Sequence, residues 1–126
     1  MKRHEYRGYR DLKVFRQSYK LALHIHNVSK GFPIEEKFAL IDQIRRSSRS
    51  VPTNIAEGWK KRKYPKMFVS KLIDAAGEAG ETEVWLDFSQ DFGYINEALH
   101  LELIKKYDEV NRMLFGVVDK ADKFTF

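Results

Sequence analysis

The residues best suited to a binding chemistry are eight cations within residues 45–66. A single acid, Glu57, lies among them, and the cations are Arg45, Arg46, Arg49, Lys60, Lys61, Arg62, Lys63 and Lys66. Lysine and arginine at this density can neutralise several phosphates, and each contact releases counterions. We therefore predict a surface that binds RNA or DNA with an affinity that falls with salt and depends little on base sequence.

Each part of this surface also has an explanation that needs no nucleic acid. The lysines could form a solvated loop, and the arginines could pair with acids of the same chain or of a neighbouring subunit. A suitable row of acids is Asp74, Glu78 and Glu81. Trp59 and Tyr64 could stack on unpaired bases where exposed, although Trp59 fits a core position better. No aromatic-bearing sheet or GXXG loop is present in the sequence, so recognition would depend on charge and shape.

A metal-binding pattern is present only in part. Glu97 and His100 have the Glu-x-x-His spacing of di-iron four-helix bundles, but that site needs two such motifs and a carboxylate from each remaining helix. Glu97 also suits the positive end of a helix dipole. The sequence has no cysteine, which excludes thiol catalysis and thiolate ligands. We predict no enzyme activity, no metal and no cofactor.

Charge is segregated along the chain, which carries a net charge of +5 over 126 residues. Residues 1–30 hold 8 Lys/Arg against 2 Asp/Glu, whereas residues 70–110 hold 3 against 10. The basic side could attract a polyanion, and it could equally dock onto the acidic side of a second copy. The sequence has no apolar run long enough to span a membrane and no export signal, so we predict a cytoplasmic location without membrane binding.

The elements that must position these residues are helical. Four long segments repeat apolar residues with the 3.6-residue period, and caps and breakers place them at about residues 11–30, 34–62, 65–91 and 97–121. Short connections predict an all-α, up-down-up-down antiparallel four-helix bundle. We expect the bundle to span residues 10–122, with a flexible basic tail at 1–9 and a C-terminal tail at 123–126.

Heptad spacing predicts which faces of the helices form the core. The second helix contributes Phe38, Ile41, Ile44, Ser48, Val51, Ile55 and Trp59. The third contributes Phe68, Leu72, Ala75, Ala79, Thr82, Leu86 and Ser89, and the fourth Leu103, Tyr107, Val110, Leu114, Val117 and Ala121.

The first helix carries two apolar stripes, centred roughly 130° apart. The first stripe comprises Leu12, Phe15, Tyr19, Ala22 and Leu23. The second comprises Val14, Leu21, Ile25 and Val28. We predict that the second stripe contacts another subunit; alternatively, the whole helix could sit deeply between its neighbours within one chain.

A proline lies inside the second predicted helix. Pro52 has no N–H and its ring crowds the carbonyl of Ser48, so we predict a kink there, with nearby hydroxyls bonding to loosened backbone groups. The kink would direct the cations of residues 60–66 away from the bundle axis.

Several motifs resemble those of the bacterial 23S rRNA intervening-sequence proteins. They are DLKVF at 11–15, FP at 32–33, EEKFALIDQIRRSSRSVPTNIAEGW at 35–59 and GETEVWLDFSQDFGYI at 80–95. The QIRR and VPTNIAEG block is the most specific, and the similarity covers about residues 10–122. The sequence departs from the common family pattern at two places. Trp59 stands where Phe or Tyr is frequent, and the segment KKRKYPKMF at 60–68 is more basic than the corresponding segment of most members.

The resemblance implies a four-helix bundle that assembles as a homopentamer. It also implies a distant similarity to the accessory variability proteins of diversity-generating retroelements, which bind nucleic acid and a reverse transcriptase. The partners to expect are therefore further copies of the chain, RNA or DNA, and a nucleic-acid-processing protein. The alternative is a structural or protein-interaction oligomer with no nucleic-acid role.

Overall fold

The computed structural model describes residues 7–124 and shows an all-α protein, as predicted. Its helices are α1 (Lys13–Ser29), α2 (Leu40–Lys60), α3 (Pro65–Asp91) and α4 (Glu97–Asp119). Single turns of 3-10 helix lie at Tyr9–Asp11, Ile34–Glu36 and Ala121–Lys123. The described part of the chain contains no strand.

The helices end where local chemistry stops them. The Asn96 side chain accepts a hydrogen bond from the Leu99 backbone N–H at 2.8 Å and so caps α4 as predicted. Gly93, with φ +79°, makes the turn after α3, in a conformation that other residues rarely adopt. The predicted start of α2 near residue 34 is wrong, because the backbone of Ala39 leaves the helical region and α2 begins at Leu40. Phe38 is consequently 86% exposed rather than in the core.

The helices pack as a bundle in which α2 lies against α1 and α3, while α4 packs on α3 and α1. Ser47 on α2 accepts a hydrogen bond from Thr82 on α3, and Glu57 pairs with Lys71. Ser47 precedes Glu57 in α2, whereas its partner Thr82 follows Lys71 in α3. The two helices are therefore antiparallel. The up-down-up-down order of the whole bundle stays a prediction.

The core contains the predicted face of α3 without exception, since all seven residues of its heptad series are buried. The predicted faces of α2 and α4 are also buried, except for Phe38 and the half-buried Val117. The interior thus follows the predicted spacing and is mainly apolar, with Ser48, Thr82 and Ser89 as the buried hydroxyl residues of these faces.

The second stripe of α1 faces the core of the same chain, and of the first stripe Leu12 and Ala22 are buried as well. Val14, Leu21 and Ile25, predicted to contact another subunit, are at most 4% exposed within the single chain, and Val28 is half-buried against the same core. The buried series runs through Ser18 and Ser29, whose hydroxyls donate to backbone carbonyls of their own helix. These serines make the buried face of α1 difficult to recognise in the sequence. A polar residue interrupts an apolar pattern even when its hydroxyl is hydrogen-bonded within the helix.

The described parts of both predicted tails pack onto the bundle. Tyr9 is half-buried, with its ring 4.8 Å from that of Phe15. At the other end, Phe124 packs between Trp59 and Phe68, at ring distances of 5.9 and 6.2 Å. Residues 1–6 and 125–126 of the predicted tails lie outside the described residues.

Helix α2 continues through Pro52, which is buried. Around it, Ser50 and Thr53 donate hydroxyl hydrogen bonds to the carbonyls of Arg46 and Arg49, at 2.9 and 2.8 Å. Neither acceptor is the Ser48 carbonyl, which Pro52 leaves without its helical donor, so hydroxyl bonding to that group stays a prediction, as does the kink. None of the described helices is both long and apolar enough to cross a membrane.

Candidate nucleic-acid interface

The segment between α2 and α3 is a tight turn with a fixed backbone. The Lys61 N–H donates to the carbonyls of Glu57 and Gly58, and the Tyr64 N–H donates to the carbonyl of Lys61 at 2.9 Å. The carbonyl of Tyr64 then accepts from the N–H groups of Met67 and Phe68 at the start of α3. We call residues 60–66 the connector; its hydrogen bonds hold its backbone in a defined conformation.

Four lysines of the connector are exposed. They are Lys60, Lys61, Lys63 and Lys66. None of their ammonium groups lies within salt-bridge distance of a carboxylate among residues 7–124. Helix α3 adds positive potential at the same place, because its first turn has no acid and no side-chain cap. The connector therefore presents a compact positive surface.

The fifth cation of the connector has a different position. The guanidinium of Arg62 lies 4.1 Å from the centroid of the Trp59 ring and donates to the Trp59 carbonyl at 3.0 Å. Trp59 is 4% exposed and packs against Phe68 and Phe124, so it belongs to the core. Arg62 thus covers one end of the core, and this role separates it from the four lysines.

A close contact between α2 and α3 holds the connector in place. Gly58 is buried, and a Cβ added to it would lie 3.0 Å from the Lys71 Cβ and 3.3 Å from the Phe68 ring. The glycine therefore allows the two helices to approach more closely than a larger residue would. Gly58 lies inside α2.

The arginines of α2 do not join the connector lysines in one site. Arg46 forms ion pairs with Glu81 and, at 3.6 Å, with Glu78 on α3. The hydrogen bond from Arg46 lowers the pKa of Glu81, whereas burial raises the pKa of Glu78 despite the nearby guanidinium. The predicted pairing of α2 arginines with the acid row is therefore present at Arg46.

Arg45 and Arg49 face α1 instead. Arg45 donates to the Ser29 hydroxyl at 2.7 Å, and Arg49 lies 3.0 Å from Nδ1 of His26. Burial, followed by the charges of Arg45, Lys30 and Arg49, lowers the pKa of His26. Arg45, Arg46 and Arg49 thus all have partners within the chain, so the connector lysines are the stronger candidates for phosphate contacts.

The structure also shows an apolar groove between α1 and α2 that sequence reasoning missed. The groove has a volume of about 570 Å³ and is lined by the stripe predicted to face the core, including Phe15, Tyr19 and Leu23, together with Pro52 and Ala56. Tyr19 and Leu23 are 51% and 53% exposed. The missed signal was the Val14, Ser18, Leu21, Ile25 spacing, which marks the other stripe as the core face.

The residues of the partial metal motif are engaged elsewhere or exposed. His100 lies 2.7 Å from Asp87 on α3, and Glu97 is exposed in the first turn of α4. Among residues 7–124, no group of three or more His, Asp or Glu side chains is arranged to hold a metal ion.

Comparison with known proteins places this bundle in a family. The profile of the 23S rRNA-intervening sequence proteins matches residues 10–116. The chain belongs to this family. A crystal structure of a protein of unknown function from the S23 ribosomal protein family of Bacteroides thetaiotaomicron is similar, with 31% identity and a TM-score of 0.75. The alignment covers 83% of the present chain and 97% of that chain. No curated protein matches the sequence.

The comparisons confirm the predicted family and fold. They do not assign a ligand, since the Bacteroides protein is itself described as having unknown function. The connector of this intervening-sequence protein must therefore be interpreted from its own chemistry.

Proposed function

We propose that this intervening-sequence protein is a noncatalytic, cytoplasmic homo-oligomer that binds RNA or DNA through the connector. The single observation that carries the proposal is the set of four exposed lysines without a carboxylate partner in the described chain. Other cations of the chain, such as Arg46 and Lys71, are neutralised by nearby acids. An unneutralised cluster on a hydrogen-bonded turn is suited to a polyanion, because the backbone of the turn needs no reordering on binding.

The charge distribution supports this assignment. The exposed carboxylates of α3 and α4, including Asp87, Asp91 and Glu102, make other parts of the surface negative. Such polarity would orient an approaching polyanion toward the connector and disfavour contact elsewhere. The proposed partners are nucleic acid, further copies of the chain and a nucleic-acid-processing protein.

A structural or protein-interaction oligomer is the second candidate function, and the apolar groove between α1 and α2 favours it. An exposed apolar surface of this kind is typical of a subunit or partner interface. A homopentamer, which the family resemblance implies, would use such a surface without any nucleic acid. In that case the connector lysines would serve only solubility.

A binding experiment with two matched variants tests the proposed function. One variant changes Lys60, Lys61, Lys63 and Lys66 to Ser and leaves Arg62 in place over Trp59. The control changes four exposed lysines outside the connector, and these are Lys20, Lys30, Lys37 and Lys105. Both variants lose the same formal charge.

Binding of fluorescently labelled structured RNA and duplex DNA is measured by anisotropy at low salt. We expect the connector variant to lose binding and the control variant to retain most of it. Equal losses in the two variants would mean that net charge, rather than the connector, determines binding. Absence of binding by the wild-type oligomer would refute the proposal and favour the second candidate function.

A further inference from the structure

An aromatic side chain stands exposed at the centre of the lysine cluster. Tyr64 is 59% exposed and lies directly between Lys63 and Pro65, whereas nearby Trp59 is 4% exposed. Among residues 7–124, the Tyr64 ring has no aromatic contact and its hydroxyl has no hydrogen-bond partner. The side chain therefore does not contribute to the core in the way that Trp59 and Phe68 do.

The backbone that carries Tyr64 is rigid. Its N–H donates to the carbonyl of Lys61, its carbonyl accepts from two N–H groups of α3, and Pro65 follows it at the first position of that helix. Proline restricts both its own backbone and that of the preceding residue. An exposed ring on such a support can be contacted at little cost in backbone entropy.

The surroundings of the ring match the chemistry of an unpaired nucleotide. The lysines on both sides of Tyr64 can contact phosphates, and the ring offers a flat face on which a base can stack. A groove of about 440 Å³ lies along the first turns of α3, beginning at the residue after Tyr64, and is lined by Pro65, Lys66, Val69, Ser70, Ile73 and Asp74. Bases stacked within a duplex cannot use these apolar surfaces, because their faces are already covered.

We propose that Tyr64 is a stacking platform and that the connector prefers single-stranded nucleic acid with unpaired bases over duplex. This inference rests on the proposed function, since it names the class of nucleic acid that the same lysines bind. The lysines supply contacts common to every strand, and the tyrosine supplies the preference for unpaired bases.

The test uses three labelled ligands at equal salt: an unstructured single strand, the duplex of that strand, and an abasic single strand that has phosphates but no bases. The variants are Tyr64→Ala and Tyr64→Phe, which keeps the ring. Phe115→Ala is the control, because Phe115 is exposed to a similar extent, 49%, and lies on α4. Thermal unfolding verifies that each variant folds.

We expect Tyr64→Ala to weaken single-strand binding by about 5- to 150-fold, the factor that corresponds to the loss of stacking on one base. Its affinity for duplex and for the abasic strand should stay unchanged, and Tyr64→Phe should bind as the wild type does. Unchanged single-strand affinity in Tyr64→Ala, or an equal loss on all three ligands, would overturn the stacking role while leaving phosphate binding intact. Failure of the wild type to bind any ligand would instead refute the proposed function.

Discussion

Replacing Gly58 by alanine tests how closely α2 and α3 must approach to hold the connector. The added methyl group would lie 3.0 Å from the Lys71 Cβ and 3.4 Å from the Phe68 carbonyl oxygen. Both atoms are fixed to the backbone of α3, so the helices must separate by a few tenths of an ångström to relieve the contact. Overpacking of this kind costs about 1–3 kcal/mol.

The same substitution also improves helix propensity by about 1 kcal/mol, because glycine is disfavoured in helix interiors. We therefore expect Gly58→Ala to change the free energy of unfolding by between about 0 and 2 kcal/mol in the destabilising direction. Gly77→Ala and Gly116→Ala are matched controls, since an added Cβ at either position meets no atom within 4 Å. These two variants gain helix propensity without a steric clash against a neighbouring helix.

Urea unfolding followed by circular dichroism measures the difference. The Gly58 variant should be less stable than either control by about 1–3 kcal/mol, with an unchanged m-value. Equal stability of the three variants would refute the close contact between α2 and α3.

Two further predictions concern the acidic side and the apolar groove. Burial, followed by the charge of Asp108, raises the pKa of Glu83 above its usual value of 4.5, and Asp87 acts in the same direction. Because the pKa of Glu83 is higher in the folded than in the unfolded protein, ionisation of Glu83 destabilises the fold as pH rises. Glu83→Gln should therefore raise the free energy of unfolding at pH 7 by up to about 1 kcal/mol and change it little at pH 4. Urea unfolding at the two pH values measures this, and a loss of stability at pH 7 would contradict it. Leu23→Glu should lower the oligomer mass measured by light scattering if the groove contacts another copy, whereas Lys20→Glu should not; an unchanged mass in Leu23→Glu would exclude the groove as a subunit interface.

The fold could be predicted from the sequence wherever spacing alone determines burial. The heptad series of α3 is unbroken, and Pro65, Gly93 and Asn96 mark helix ends through their own backbone or capping chemistry. The start of α2 could not be predicted, because residues 34–39 have helix-forming composition and the contact that Glu36 makes with the Tyr94 hydroxyl comes from a distant part of the chain.

The candidate site was predictable only in part. The density of lysine at residues 60–66 is visible in the sequence, but the partners that separate Arg46 and Arg49 from those lysines come from other helices. The packing of Phe124 against Trp59 and Phe68 likewise joins residues that are distant in sequence. Long-range contacts of this kind leave no local pattern.

The most direct test of the central claim is the salt dependence of nucleic-acid binding. The logarithm of the association constant for duplex DNA is measured against the logarithm of salt concentration for the wild type and for the variant with Lys60, Lys61, Lys63 and Lys66 changed to Ser. If each lysine contacts one phosphate, the wild-type slope should be steeper by about 3.6, which is 0.9 for each contact. Parallel slopes for the two proteins would contradict a phosphate-binding role for the connector.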